Sequence, residues 1–121
     1  MKRDKTDALF SRYIKLLSGG FCKRCGNYLG VKSRGLHCAH LFSRGKLTTR
    51  FVRDNAHALC YGCHRYVDQH PLVKQEFFRD LLGNEKYNEL YKLSNKTTKD
   101  HPIDISVIEV DLKSKIKILE R

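Results

Sequence analysis

Four of the five cysteines fall in two C-x-x-C pairs, Cys22/Cys25 and Cys60/Cys63. No other feature limits the fold as much. A C-x-x-C knuckle presents two thiolates from one tight turn, and two knuckles complete a tetrahedral set with no open position, the geometry of structural zinc. Such a clamp ties distant stretches together in a chain of 121 residues whose apolar content of 40% makes only a small core. The start "MKRDKTDALF" acquires Asp4 and Asp7 and lacks an apolar signal core. We therefore expect no secretion signal, a reducing compartment, and metal ligands rather than disulfides. Free thiols in coincidental turns are the plainer alternative. A redox pair is disfavoured, because neither pair sits in a βαβ pattern. The fifth cysteine, Cys38, reads as a small buried side chain.

Residues 26–59, 34 positions, separate the knuckles. A compact zinc ribbon uses about 15–20, so a hairpin and a loop are inserted between them. The insert holds His37, His40 and His57, and His64 follows Cys63. "LHCAHLF" and "AHALC" read as strands, with the basic loop "SRGKLTTRFVRDN" between them. Phe21 to Leu36 reads as short strand-like pieces turning at Gly26, Gly30 and Gly35.

Before the insert, "TDALFSRYIKLLSGG" fits an amphipathic helix capped by Thr6, with Leu9, Phe10, Tyr13, Ile14 and Leu17 on one face and Gly19-Gly20 at its end. After it, Pro71 and Gly83 bound a helix "PLVKQEFFRDLLG", and Asn84 caps "NEKYNELYKL". The stretch "SNKTTKDHP" has linker composition. In "IDISVIEVDLKSKIKILER", the β-branched content fits a strand, but Ile105, Ile108, Leu112, Ile116 and Leu119 fit a helix face, which we expect. The organisation is one α+β domain over 1–121: an N-terminal helix 1–18, a zinc-clamped core 19–70, a helical extension 71–93, a linker 94–102 and a C-terminal helix 103–121.

Twenty-four Lys/Arg against 13 Asp/Glu give a formal net charge of +11. That balance points to a polyanionic partner, most simply nucleic acid, with a merely basic soluble protein as the alternative. No run approaches the ~20 apolar residues that span a bilayer, so no membrane role is expected. Arg44, Lys46, Arg50, Arg53 and Arg65 are candidate phosphate contacts, with a solvated basic surface as the less favoured alternative for each. Phosphate contacts position a duplex without reading its sequence. No recognition helix is evident, so any cleavage would be weakly sequence-specific or structure-specific.

The knuckle, the strand ending in His40, the loop and "DNAHALCYGCH" together resemble the HNH, or ββα-metal, endonucleases over roughly Phe21 to Asp68. "AHLFSRG" with "NAHALCYGC" is similar to phage recombination proteins of the NinG/Rap type, and the four-cysteine frame to the phage resolvase endonuclease VII. The resemblance implies a ββα-metal core, a hairpin plus helix, clamped by the four-cysteine zinc site and flanked by N- and C-terminal helices. It implies a structural zinc ion, one catalytic divalent cation and a DNA substrate, duplex or branched. It also implies a bacterial, prophage or phage-encoded protein working in the cytoplasm.

In that family His40 would be the general base that activates water, Asn55 would hold the loop and orient His40, and His64 would ligate the ion. One departure stands out. Many members place Asp immediately before the base, where this chain has Ala39. His37 and His57 are candidate replacement ligands, each equally readable as a hydrogen-bonded structural histidine. An imidazole-rich set favours Mn²⁺ or softer ions over Mg²⁺. Two rival readings remain: a zinc-ribbon DNA-binding module without catalysis, and a recombination accessory protein acting on branched DNA.

Overall fold

The protein, described here from a computed structural model, is α+β over residues 4–121. The first three positions of the expected N-terminal helix lie outside the described residues. Helix α1 runs Lys5–Leu17. Its cap is Asp4 rather than Thr6, which is buried inside the first turn. Asp4 accepts from the Asp7 N–H and Asp7 accepts from the Asp4 N–H, a reciprocal capping box.

The two strands β1 (Leu36–His40) and β2 (Ala56–Cys60) form an antiparallel pair, with Cys38 opposite Ala58. Helix α3 (Tyr61–Gln69) follows β2 without a break, because Cys60 is both the last strand residue and the helix N-cap. Between the strands, the expected loop contains a short helix α2 (Leu47–Arg50) and a 3-10 turn at Arg53–Asn55. The pieces between Phe21 and Leu36 are turns, joined by one bridge between Phe21 and Tyr28, rather than strands. Gly20 lies against Gly30, and a Cβ at Gly20 would stand 2.9 Å from the Gly30 Cα, so this crossing requires glycine.

Alternation along the hairpin divides the core. Leu36, Ala56 and Ala58 face α1, where they meet Phe10, Tyr13 and Ile14. Ala39 and Leu59 face the other way, onto Cys22, Cys63 and Val67. Helices α4 (Pro71–Leu82) and α5 (Asn84–Ser94) follow, with Gly83 at φ 83° ending one and capping the other. Asn84 is thus the first residue of α5 and not its cap. The C-terminal segment is helical, α6 (Ile105–Leu119), capped by Asp104. It lays Leu112 and Ile116 on the α1 cluster. Helix propagation wins over β-branching here because a buried stripe at i, i+4 has an apolar helix to meet. Among the described residues, no helix is long and apolar enough to cross a membrane.

Candidate metal and nucleic-acid site

The four paired cysteines converge. Their sulfur atoms all lie within 4.8 Å of one another, and Cys25 Sγ is 3.8 Å from Cys60 Sγ. Tetrahedral bonds of ~2.3 Å to zinc require sulfurs ~3.8 Å apart, so the set fits a structural zinc ion. The local chain builds the geometry. Each knuckle turns back on its first cysteine: the Cys25 N–H donates to Cys22 Sγ at 3.5 Å, and the Cys63 N–H to Cys60 Sγ at 3.4 Å. The first knuckle is hung on the hairpin by the Lys23 N–H, which donates to the Ala58 carbonyl at 2.8 Å.

Burial raises the Cys22 thiol, but the backbone donors around it prevail and hold its pKa at about 6. Burial pushes Cys63 up to about 12. Thiolates this close repel one another, so a cation among them favours the ionised form, which is the form that binds zinc. The Arg24 guanidinium lies 3.6 Å from Cys63 Sγ and 4.6 Å from the centre of the Tyr66 ring, so it lends positive charge to the sulfur side.

His40, at the end of β1, faces α1, with its ring 5.6 Å from that of Phe10. Its Nε2 is 3.1 Å from the Arg50 carbonyl oxygen. A carbonyl only accepts, so Nε2 carries the proton and the lone pair of the neutral ring sits on Nδ1. Burial lowers the His40 pKa below its ordinary value, against the pull of that carbonyl.

Asn55 is fully buried and pins the turn that ends the strand. Its Oδ1 accepts from the Phe42 N–H at 2.8 Å, and its Nδ2 donates to the carbonyls of Phe42 and Thr49, both at 3.0 Å. Thr49 adjoins Arg50, so Asn55 fixes the stretch that supplies the carbonyl to His40. These bonds also end β1 at His40, two residues before the expected strand end at Phe42.

His37 leaves β1 on the opposite face, toward α3. Its Nδ1 lies 3.0 Å from His64 Nδ1. With metal–nitrogen bonds of ~2.1 Å, adjacent ligands on one ion stand roughly 3.0–3.4 Å apart, so the two rings fit a shared ion. His64 Nε2 is 3.2 Å from Asp68 Oδ2. Burial keeps the His64 pKa below its ordinary value, although Asp68 opposes it.

His57 is not brought to this pair. Its ring sits among Phe77 and Phe78 of α4, at 6.2 and 5.2 Å between ring centres, and its Nε2 is buried without a hydrogen-bond partner. Burial there lowers its pKa to about 4. Ala39 is likewise sealed, 0% exposed, among Cys22, Leu59, Cys63 and Val67. A carboxylate at position 39 would enter an apolar cluster and not the His37–His64 site.

A cleft of about 410 Å³ joins the two histidine faces along the outer edge of β1. Its polar lining includes His37 and His40, the cations Lys15, Arg34 and Arg44, and the carboxylate of Asp7. β1 has a strand on one side only, which is why side chains from both of its faces reach this opening. Lys15 and Arg34 were not among the sequence candidates. Arg34 stands three residues before His37, a proximity that could have marked it, whereas only the packing of α1 brings Lys15 to the same cleft as His40.

Arg50 must be removed from the candidate phosphate contacts. It is buried, its Nε donates to Asp7 Oδ1 at 2.9 Å, and its Nη2 pairs with Asp7 Oδ2. Arg44 half-faces the cleft and lies 3.4 Å from the same carboxylate. Lys46, Arg53 and Arg65 are exposed, with Arg65 donating to the Tyr61 hydroxyl at 3.2 Å.

No protein-family model matches this chain, no curated protein matches it, and no solved structure matches it.

Proposed function

We propose that the protein is a metal-dependent DNA endonuclease of the HNH kind, with the β1–β2 hairpin and α3 as its ββα-metal core and zinc in the four-cysteine clamp. The observation that carries this reading is the setting of His40. Its Nε2 is engaged by a backbone carbonyl, its basic Nδ1 is left for a proton, and it lines a cleft with Lys15, Arg34 and Arg44. Cleaving a phosphodiester needs a proton acceptor for the attacking water and positive charge for the phosphate oxygens.

His40 Nδ1 takes the proton of a water aligned behind the phosphorus. The water oxygen forms the new P–O bond as the bond to the 3′ oxygen breaks. The Arg44, Arg34 and Lys15 side chains hold the phosphate oxygens and keep the backbone in register with His40. A divalent cation held by His64 and His37 would supply charge neutralisation at the phosphate and at the departing oxygen. Imidazole ligands favour Mn²⁺, Co²⁺, Ni²⁺ or Zn²⁺ there over Mg²⁺. The surface charge makes duplex or branched DNA the substrate, with little sequence preference.

A nicking assay on supercoiled plasmid, run across a series of divalent ions, tests this. Wild type should nick, and His40→Ala should lose about 100-fold or more in rate while still binding DNA. Equal DNA binding with no nicking by wild type in any ion would instead favour a zinc-ribbon DNA-binding module without catalysis. Loss of binding together with cleavage in His40→Ala would make His40 a structural residue.

A further inference from the structure

The outer edge of β2 carries a second opening, which shares no lining residue with the cleft along β1. Its volume is about 380 Å³, within the ~300–1,000 Å³ of small-ligand sites. Ala56 and Ala58 reach it from one face of the strand and His57 from the other, as the unpaired edge allows. Three cations from distant stretches also line it: Lys23 of the first knuckle, Arg53 of the 3-10 turn and Lys86 of α5. Asp54 is the one acid among its lining residues. Among the described residues, none of these three cations makes an ion pair or a hydrogen bond through its side chain. Lys23 is fixed at the edge by its own N–H, which donates to the Ala58 carbonyl at 2.8 Å. His57 registers the combined field. Burial lowers its pKa most, and the charges of Lys23 and Arg53 lower it further, against Asp54. Like charges gathered this way do nothing for the fold. They concentrate positive potential in a concave, partly apolar site, where it favours an incoming phosphate.

From this placement we infer that the cleft beyond β2 is a second phosphate-binding site, in which Lys23, Arg53 and Lys86 hold backbone phosphates of a bound nucleic acid. The inference rests on the nucleic-acid part of the reading above and is independent of cleavage. It assigns Arg53 to a different cleft from the one that Arg44 lines. A strand held here is gripped away from His40, so the site adds affinity without entering the chemical step.

Titration of the full chain, with zinc in the cysteine clamp, against a short oligodeoxynucleotide over a range of salt tests this. Combining Lys23→Gln, Arg53→Gln and Lys86→Gln should lower the slope of log affinity against log salt by about 2–3, since each phosphate contact contributes about 0.7–0.9. A control with the same loss of charge combines Lys92→Gln, Lys96→Gln and Lys99→Gln, at exposed positions that line neither cleft. It should change the slope by less than about 1. Amide and imidazole ¹H–¹⁵N spectra of labelled wild type give a reading that no variant's folding can affect. The oligonucleotide should move the Lys23, Ala58 and Lys86 amides and the His57 ring signals, and inorganic phosphate should move the same signals at higher concentration. Equal slopes in the two variants would overturn the inference. So would oligonucleotide shifts confined to the surroundings of His40, which would leave the endonuclease reading intact. Shifts with inorganic phosphate alone would make the cleft a free-anion site and overturn the nucleic-acid assignment. Wild type that binds no DNA at any salt would remove this inference and the endonuclease reading together.

Discussion

His40 shows how one hydrogen bond assigns a role to a ring. The Arg50 carbonyl consumes Nε2, and burial lowers the pKa from its ordinary 6.5, so the unprotonated form dominates through neutral pH. In the proposed endonuclease the base form is the active one. Cleavage should therefore rise with pH only on the acid side, with the ascending midpoint of kcat/KM below 6.5, and be level at neutral pH. A midpoint above that value would mean that some other group takes the proton. The residue types at positions 37, 40, 55 and 64 were legible in the sequence because their spacing is local. The sealing of Ala39 and His57 was not, since both depend on which face of the hairpin α3 and α4 cover. Arg50 looked like its neighbours in the basic loop, and only its pairing with a carboxylate far earlier in the chain distinguishes it.

At the scale of elements, two tethers hold the hairpin. The first joins α1 to α2 through Asp7 and Arg50, whose side chains are 5% and 10% exposed. Burial raises the Asp7 pKa, but the Arg50 guanidinium outweighs it and holds the carboxyl at about 2, against an ordinary 3.8. A carboxyl depressed on folding stabilises the native state fully above its unfolded value, and the contribution is lost as pH falls from about 4 to 2. This shift is worth about 2 kcal/mol. Asp7→Asn takes the buried carboxylate from Arg50, leaves it the exposed Asp4 carboxylate at 3.7 Å, and should cost toward the lower end of about 3–5 kcal/mol at pH 7. Urea denaturation of both proteins should show that gap narrowing below pH 4, and a gap independent of pH would locate the effect elsewhere.

The second tether is the cysteine clamp, which joins the first knuckle to the β2–α3 junction. With bound zinc, chelation should release one ion per chain and unfold the hairpin and α3, because the apolar cluster beside the sulfurs is small. Zinc analysis with circular dichroism checks this, and an intact fold after complete zinc loss would reject it. The helices themselves were readable from periodicity and glycine stops. The N-caps, Asp4 for α1 and Gly83 for α5, were not, because Thr6 and Asn84 nearby offered capping side chains.

For the whole molecule, the excess of +11 should dominate DNA affinity. Neutralised phosphates release counterions, so a footprint of 6–10 phosphates should lose about 10³–10⁵ in affinity between 50 and 200 mM salt. Binding titrations over that range check it, and a flat response would disconnect the charge from DNA. The outermost layer has a further consequence. Helix α6 covers the same cluster that α1 builds, and Lys5–Glu109 at 3.0 Å and Arg12–Glu120 join the two helices along their length. A ribosome therefore delivers the histidines and all four sulfurs well before it delivers Leu112 and Ile116. Until then Phe10 and Ile14 have no cover on that side, and the loop that steadies His40 hangs from an unfinished core. The timing of translation thus separates the appearance of the chemical groups from their alignment, and a nascent chain carries the parts of the site before it carries a working one.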